Sequence, residues 1–233
     1  MPAKNVLKQY VDNGYYHLYN RGVEKRIIFS DKEDEAVFLS YLKNYLIPKN
    51  TLELSSLLSN SNSLAVEKAE AVRLLRLNNF SAEIDLLAFC LMPNHFHLLV
   101  KQNSSRSIEM FMRSLGTRYV QYFNHKHGKR VGGLFQDTYK AASIESEEQL
   151  LHLTRYIHLN PYIKGVSLKD SPHPSSYKNY LGIIKQNWVK PQKILELFSK
   201  TGVNSYEHFV EGHEWDADSL SFISEVILEK DTP

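Results

Sequence analysis

The sequence predicts an α+β fold: an antiparallel sheet of ferredoxin-like or RRM-like plan, helices on one face, then a helical C-terminal extension. Three observations lead there. Short apolar or alternating runs over 11–21, 84–92, 95–101 and 134–144 read as strands. Segments of helical period separate them in the order strand, helix, strand, strand, helix, strand. A capped helix follows, and then three short helical stretches.

The first strand, Val11 to Arg21, is rich in aromatics and ends at the turn-forming Asn20-Arg21-Gly22. From Asp34 to Leu46, apolar residues at Val37, Phe38, Tyr41, Leu42 and Tyr45 trace an amphipathic helix that Pro48 closes. The Ser/Asn/Leu stretch 51–63 reads as a linker, and Leu64 to Leu77 as another helix. Ile84 to Met92 is nearly continuous apolar sequence, too short for a typical helix and suited to a strand buried on both faces. Pro93-Asn94 forms a turn, and His95 to Lys101 returns as the partner strand. Ser107 to His127 carries a helical stripe through Ile108, Phe111, Met112, Leu115, Tyr119 and Tyr122. Gly132-Gly133 ends that region, and Leu134 to Ile144 reads as the last strand. Ser146-Glu147-Glu148-Gln149 is a capping box, followed by the core stripe Leu150, Leu153, Ile157 and a stop at Pro161. Segments 174–182, 191–200 and 204–212 complete the helical reading.

Composition narrows the class. With 42% hydrophobic and 23% charged residues the chain matches ordinary globular proteins. No apolar run nears the roughly 18 residues of a membrane span, and the start does not read as a signal peptide. No membrane role and a cytoplasmic location are therefore expected. The single Cys90 excludes a disulfide framework and falls in an apolar run. The net charge of +2 hides an asymmetry. Lys101 to Lys140 holds eight Lys/Arg against two acids, whereas Pro191 to Pro233 holds three Lys against nine acids. That pattern fits a polyanion-binding surface beside a segment that could compete with it, or simply two solvated faces.

Two constellations carry chemistry. In His95-Phe96-His97 strand alternation sends both imidazoles to one face, a half-site for a divalent metal or a pair that only hydrogen-bonds. Downstream, Gln149, His152, Tyr156 and Asn160 follow at steps of three, four and four, one polar stripe on one helix. Tyr156 and Asn160 lie about 6 Å apart along its axis. A helix packed on the sheet can present a phenol and an amide oxygen to the paired histidines. Tyr156 could equally be a core residue, and Asn160 a plain cap.

The motifs FCLMPNHFHLLV, RYVQYFN, GGLFQDTYK and RYIHLNPY resemble the single-tyrosine transposases of the HUH (histidine–hydrophobic–histidine) type, most of all the REP-associated tyrosine transposases. The resemblance spans about Tyr15 to Tyr180. It implies an HUH nuclease fold with a divalent metal, Mg²⁺ or Mn²⁺, on His95, His97 and Asn160. It also implies Tyr156 as the nucleophile, with Tyr139 as the next candidate. The implied partner is single-stranded DNA with hairpin (palindromic) elements, cut and rejoined through a 5′-phosphotyrosine. Relatives act as a monomer or a homodimer. Gln149, His152 and Lys140 are candidates for supporting or proton-transfer roles. Arg21, Arg106, Arg113, Arg118, Lys126, Lys129, Arg130 and Tyr139 are candidate DNA contacts, with nearby aromatics available for base stacking. This chain departs from the family at Thr138, where an Arg is common, and in extra length near 51–80. The expected units are 1–185 for the nuclease domain and 186–233 for the acidic extension.

A free phenol, pKa about 10, is a weak nucleophile at neutral pH and needs such assistance. The main alternative is an RRM-like module, derived from a transposase, that binds hairpin nucleic acid without cutting it. Such a module has no need of Tyr156. A hydrolase using metal-activated water would want carboxylates, which the motif region does not supply.

Overall fold

The computed structural model describes residues 10–128 and 131–212. Lys129, Arg130 and the acidic stretch from 213 onward lie outside the described residues. Strands β1 (Tyr15–Arg21), β2 (Ile84–Met92), β3 (His95–Gln102) and β4 (Lys140–Ile144) form one sheet in the order β2-β3-β1-β4, every pair antiparallel. This is the order of the expected ferredoxin-like plan. Helix α1 (Lys32–Leu46) links β1 to the β2–β3 hairpin through an insertion, α2 (Thr51–Ser59) and α3 (Ala65–Arg76). Helix α4 (Ser107–His127) then leads to β4.

The predicted linker at 51–63 is partly helical. Asn50 caps α2 by accepting from the Glu53 amide at 3.1 Å, which supplies the start signal that a Ser-rich stretch obscures. The α2–α3 pair packs on itself at the surface, with Ala71 its only buried residue. The last strand is shorter than predicted. Over 134–138 the chain still follows β1, with Gln136 N–H donating to Arg21 O at 2.8 Å. The Asn20 amide, however, donates to Asp137 O and Thr138 O where a ladder would continue.

Helices α1 and α4 cover one face over Leu18, Leu86, Phe89, Leu91, Leu98 and Val100. The opposite face is also covered. There α5 (Glu147–Leu159), α6 (Tyr177–Tyr180), α7 (Gln192–Leu195) and α8 (Tyr206–Glu211) close over Leu87, Ala88, Cys90 and Leu99. The reason lies in β2, whose apolar run leaves neither face able to stay wet. Among the described residues no helix is long and apolar enough to cross a membrane.

The extension is tied into the body as far as the described residues run. Ile194, Tyr206 and Val210 are buried against α5, and the buried Arg155 donates to Val210 O at 3.4 Å. His158 of α5 bridges two partners, Nδ1 at 2.6 Å from Tyr206 Oη and Nε2 at 2.7 Å from Ser176 Oγ. Ser176 Oγ in turn accepts from the Phe89 amide on β2 at 2.9 Å. One imidazole thus pins α5 to both the sheet and α8.

Burial pulls the His158 pKa down to about 3, so the ring is neutral in the fold and charges readily once unfolded. The unfolded chain therefore binds the extra proton. This stability is complete above about pH 6.5 and declines as pH falls toward about 3. Going from about pH 7 to pH 5 is expected to cost roughly 2 kcal/mol through this group. Melting curves at both pH values should show a smaller acid-induced drop for His158→Gln than for the parent. Equal drops would contradict the account.

Candidate catalytic centre

Register builds the site. On β1, Tyr19 stands opposite His97 of β3 and Lys140 of β4, and Arg21 stands opposite His95. Alternation turns Tyr15, His17, Tyr19 and Arg21 to the face that α5 covers. The hairpin turn ahead of His95 is held rigidly. Pro93 O accepts from the Ile28 and Phe29 amides, and Asn94 O from Gly22 N–H, all at 2.8–3.0 Å. Gly22 has no alternative here, because a Cβ would meet Arg26 O at 2.1 Å.

The donor atoms of the predicted metal site converge. His95 Nδ1 lies 2.7 Å from Asn94 Oδ1, while the Asn94 amide nitrogen donates to Lys25 O. Asn94 Oδ1 is therefore an acceptor, so His95 carries a proton on Nδ1, with Nε2 on the other side of the ring. That Nε2 lies 3.4 Å from Asn160 Oδ1. Asn160 is oriented by donating its amide N–H to Tyr156 O at 3.0 Å. The imidazole nitrogen and the amide oxygen thus face each other, a pair that a shared proton or a cation can bridge. His97 stands next to the pair, its ring centroid 5.0 Å from that of His95, and its buried Nε2 has no hydrogen-bond partner among the described residues. Burial first, then His17, His95 and Arg21, hold His97 well below the ordinary histidine range. It is neutral, the form that binds metal.

Among the described residues no three His, Cys, Asp or Glu side chains cluster as a metal site. The donor set here is two imidazoles and an amide, and its chemistry fits a divalent cation. Tyr156 projects from α5 beside it. Its ring meets the His97 ring edge-on, with centroids 5.5 Å apart.

The other candidates are scattered. Lys140 reaches the site face, its Nζ 5.6 Å from the Tyr19 ring centre. Gln149 serves the start of α5, accepting from the Glu145 amide at 2.8 Å, about 10 Å along the axis from Tyr156. His152 packs toward Phe209 of α8. Tyr139 points to the opposite face, buried with its hydroxyl 2.7 Å from that of Tyr10. The nucleophile after Tyr156 therefore has to be sought elsewhere. The α4 cations ride on the far face because the apolar stripe of α4 docks there. Arg106 and Arg113 are exposed, Arg106 beside the end of β3 roughly 20 Å from His95. Arg118 lies over the Tyr41 ring at 3.8 Å. Lys126 is paired with Asp31, Glu33 and Asp34 at 2.8–3.0 Å. Tyr119 and Phe123 are core residues.

Two residues at the site escaped the sequence reading. His17 and Tyr19 are buried beside His97, with ring centroids 5.0 and 5.8 Å away. Their signal was the alternation Tyr15, His17, Tyr19, Arg21, which puts a histidine on the same strand face as Arg21.

Comparison with known proteins finds a matching family model. Residues 68–160 match the family model described as IS200-like transposase, whereas no curated protein matches the sequence. Three solved structures overlap the fold at low identity. A REP-associated tyrosine transposase bound to a REP hairpin is 12% identical, with 87% of this chain and 96% of that chain covered and a TM-score of 0.44. A putative transposase from Deinococcus radiodurans R1 is 16% identical, with 67% and 95% covered and a TM-score of 0.25. The tRNA(His) guanylyltransferase of Saccharomyces cerevisiae is 10% identical, with 98% and 85% covered and a TM-score of 0.31. At such scores the overlaps are partial and carry no argument. Residues 68–160, which hold both histidines, Tyr156 and Asn160, are similar to the IS200-like transposases.

Proposed function

We propose that the chain cleaves and rejoins single-stranded DNA flanked by hairpins, through a 5′-phosphotyrosine on Tyr156. A divalent cation, Mg²⁺ or Mn²⁺, would be held by His95 Nε2, His97 Nε2 and Asn160 Oδ1. One observation carries the reading: His95 Nε2 faces Asn160 Oδ1 at 3.4 Å, and the unpartnered Nε2 of the neighbouring His97 lies on the ring that Tyr156 meets.

When bound, the metal would supply charge that offsets the negative charge growing on the scissile phosphate. The protein's own part is positional. Tyr156 Oη attacks phosphorus and its proton passes to solvent. The Oη–P bond forms as the P–O3′ bond breaks, and the departing 3′ oxygen takes a proton. The phosphodiester energy is kept in the phosphotyrosine, so the reverse attack by a 3′-hydroxyl needs no ATP. Arg21 and Lys140 flank the histidines and suit the phosphates on either side. Covering by α5 limits water and favours rejoining over hydrolysis.

The test uses end-labelled strands incubated with protein and Mn²⁺. A hairpin-bearing single strand is expected to give a denaturant-resistant adduct, whereas perfect duplex gives at least about tenfold less. Binding should weaken steeply with salt as counterions are released. Equal cutting of both substrates would overturn the substrate assignment, and absence of adduct on either would favour the non-cleaving binder.

A further inference from the structure

We propose that His17 is a positioning residue that holds His97 with its proton on Nδ1, leaving the Nε2 lone pair turned toward the cation. The role rests on the metal site proposed above. His17 lies on the neighbouring strand, fully buried, with Nε2 2.8 Å from His97 Nδ1. That atom is on the far side of the His97 ring from Nε2, so His17 acts on the cation through His97.

One proton can sit between these two nitrogens. If His17 Nε2 donates, His97 must carry its own proton on Nε2. A buried N–H then faces the site with no acceptor among the described residues, and metal binding is blocked. If His97 Nδ1 donates, His17 Nε2 accepts and the lone pair of His97 Nε2 meets the cation. Only the second arrangement agrees with the donor set of His95 and Asn160. It is the outer contact that metal-bound histidines generally need to fix tautomer and ring angle. The surroundings keep His17 in place. The Tyr19 ring stacks on it at 4.7 Å, and the Tyr156 ring stands edge-on at 6.5 Å. The hydrogen bond thus has little room to swing away.

The test has two readouts independent of cleavage. Long-range ¹H–¹⁵N correlation spectra of the histidine-labelled full chain should show His97 protonated on Nδ1 and bare on Nε2. Mn²⁺ titration followed by the electron paramagnetic resonance of free Mn²⁺ gives the affinity. His17→Gln keeps an acceptor near the position of Nε2 and should bind within about threefold of the parent. His17→Phe keeps a ring but no acceptor and should bind roughly 10- to 100-fold more weakly. If His17→Phe does not fold, as judged by its melting curve, the parent spectrum and the Gln variant decide. A His97 protonated on Nε2, or a folded His17→Phe that binds Mn²⁺ like the parent, overturns the positioning role alone. A parent that shows the stated tautomer and yet binds no Mn²⁺ overturns the metal reading, and this role with it.

Discussion

Tyr156→Phe is expected to abolish the covalent protein–DNA adduct while leaving the fold intact. The change removes one oxygen from a half-buried ring that packs at the margin of the α5 core. Stability should therefore move by less than about 1 kcal/mol. Strand cleavage should fall at least about a thousandfold, because no neighbouring group replaces a nucleophile that forms the covalent bond. The measurement is adduct yield on labelled hairpin DNA beside a melting curve. A surviving adduct would shift attention to Tyr19, which shares the face of the histidines, and not to Tyr139, which lies across the sheet.

Loss of the metal is expected to be nearly as severe. Excess EDTA should suppress cleavage by the parent at least about a thousandfold, and added Mn²⁺ should restore it. His95→Ala should do the same without rescue. His95 is the better choice than His97 because it is only half buried, so truncation leaves a smaller void and the melting temperature should hold. Undiminished cleavage in EDTA would remove the cation from the mechanism. The unpartnered Nε2 of His97 would then need another explanation.

The two effects differ in how legible their residues were. Spacing puts Tyr156 with Asn160 and His95 with His97 on shared faces, because strand and helix periods are fixed before any packing is known, and the motif resemblance singled them out. The β2–β3 hairpin and α5 were readable for the same reason, the hairpin turn by Pro93-Asn94 and the helix start by the Ser146 box. The α2 helix was not. Its stretch is rich in Ser and Asn, and only the Asn50–Glu53 cap and packing on α3 make it helical. The candidate DNA contacts were the least legible. A count of cations along 101–140 says nothing of which side of the sheet they occupy, and α4 carries Arg113, Arg118 and Lys126 to the far face.

The sequence by itself therefore determined the order of elements and the one-sided pair of imidazoles, which are local or periodic properties, while Tyr156 as nucleophile candidate came from the resemblance of its motif. Only the tertiary structure decided that both faces of the sheet are covered and that residues 194–210 complete the core beneath α5. It alone decided that His17 meets His97, 80 positions away in the chain. Periodicity assigns a side chain to a face. Which partner it finds there depends on strand register and on the helix that closes over it, and those are set by contacts between distant segments.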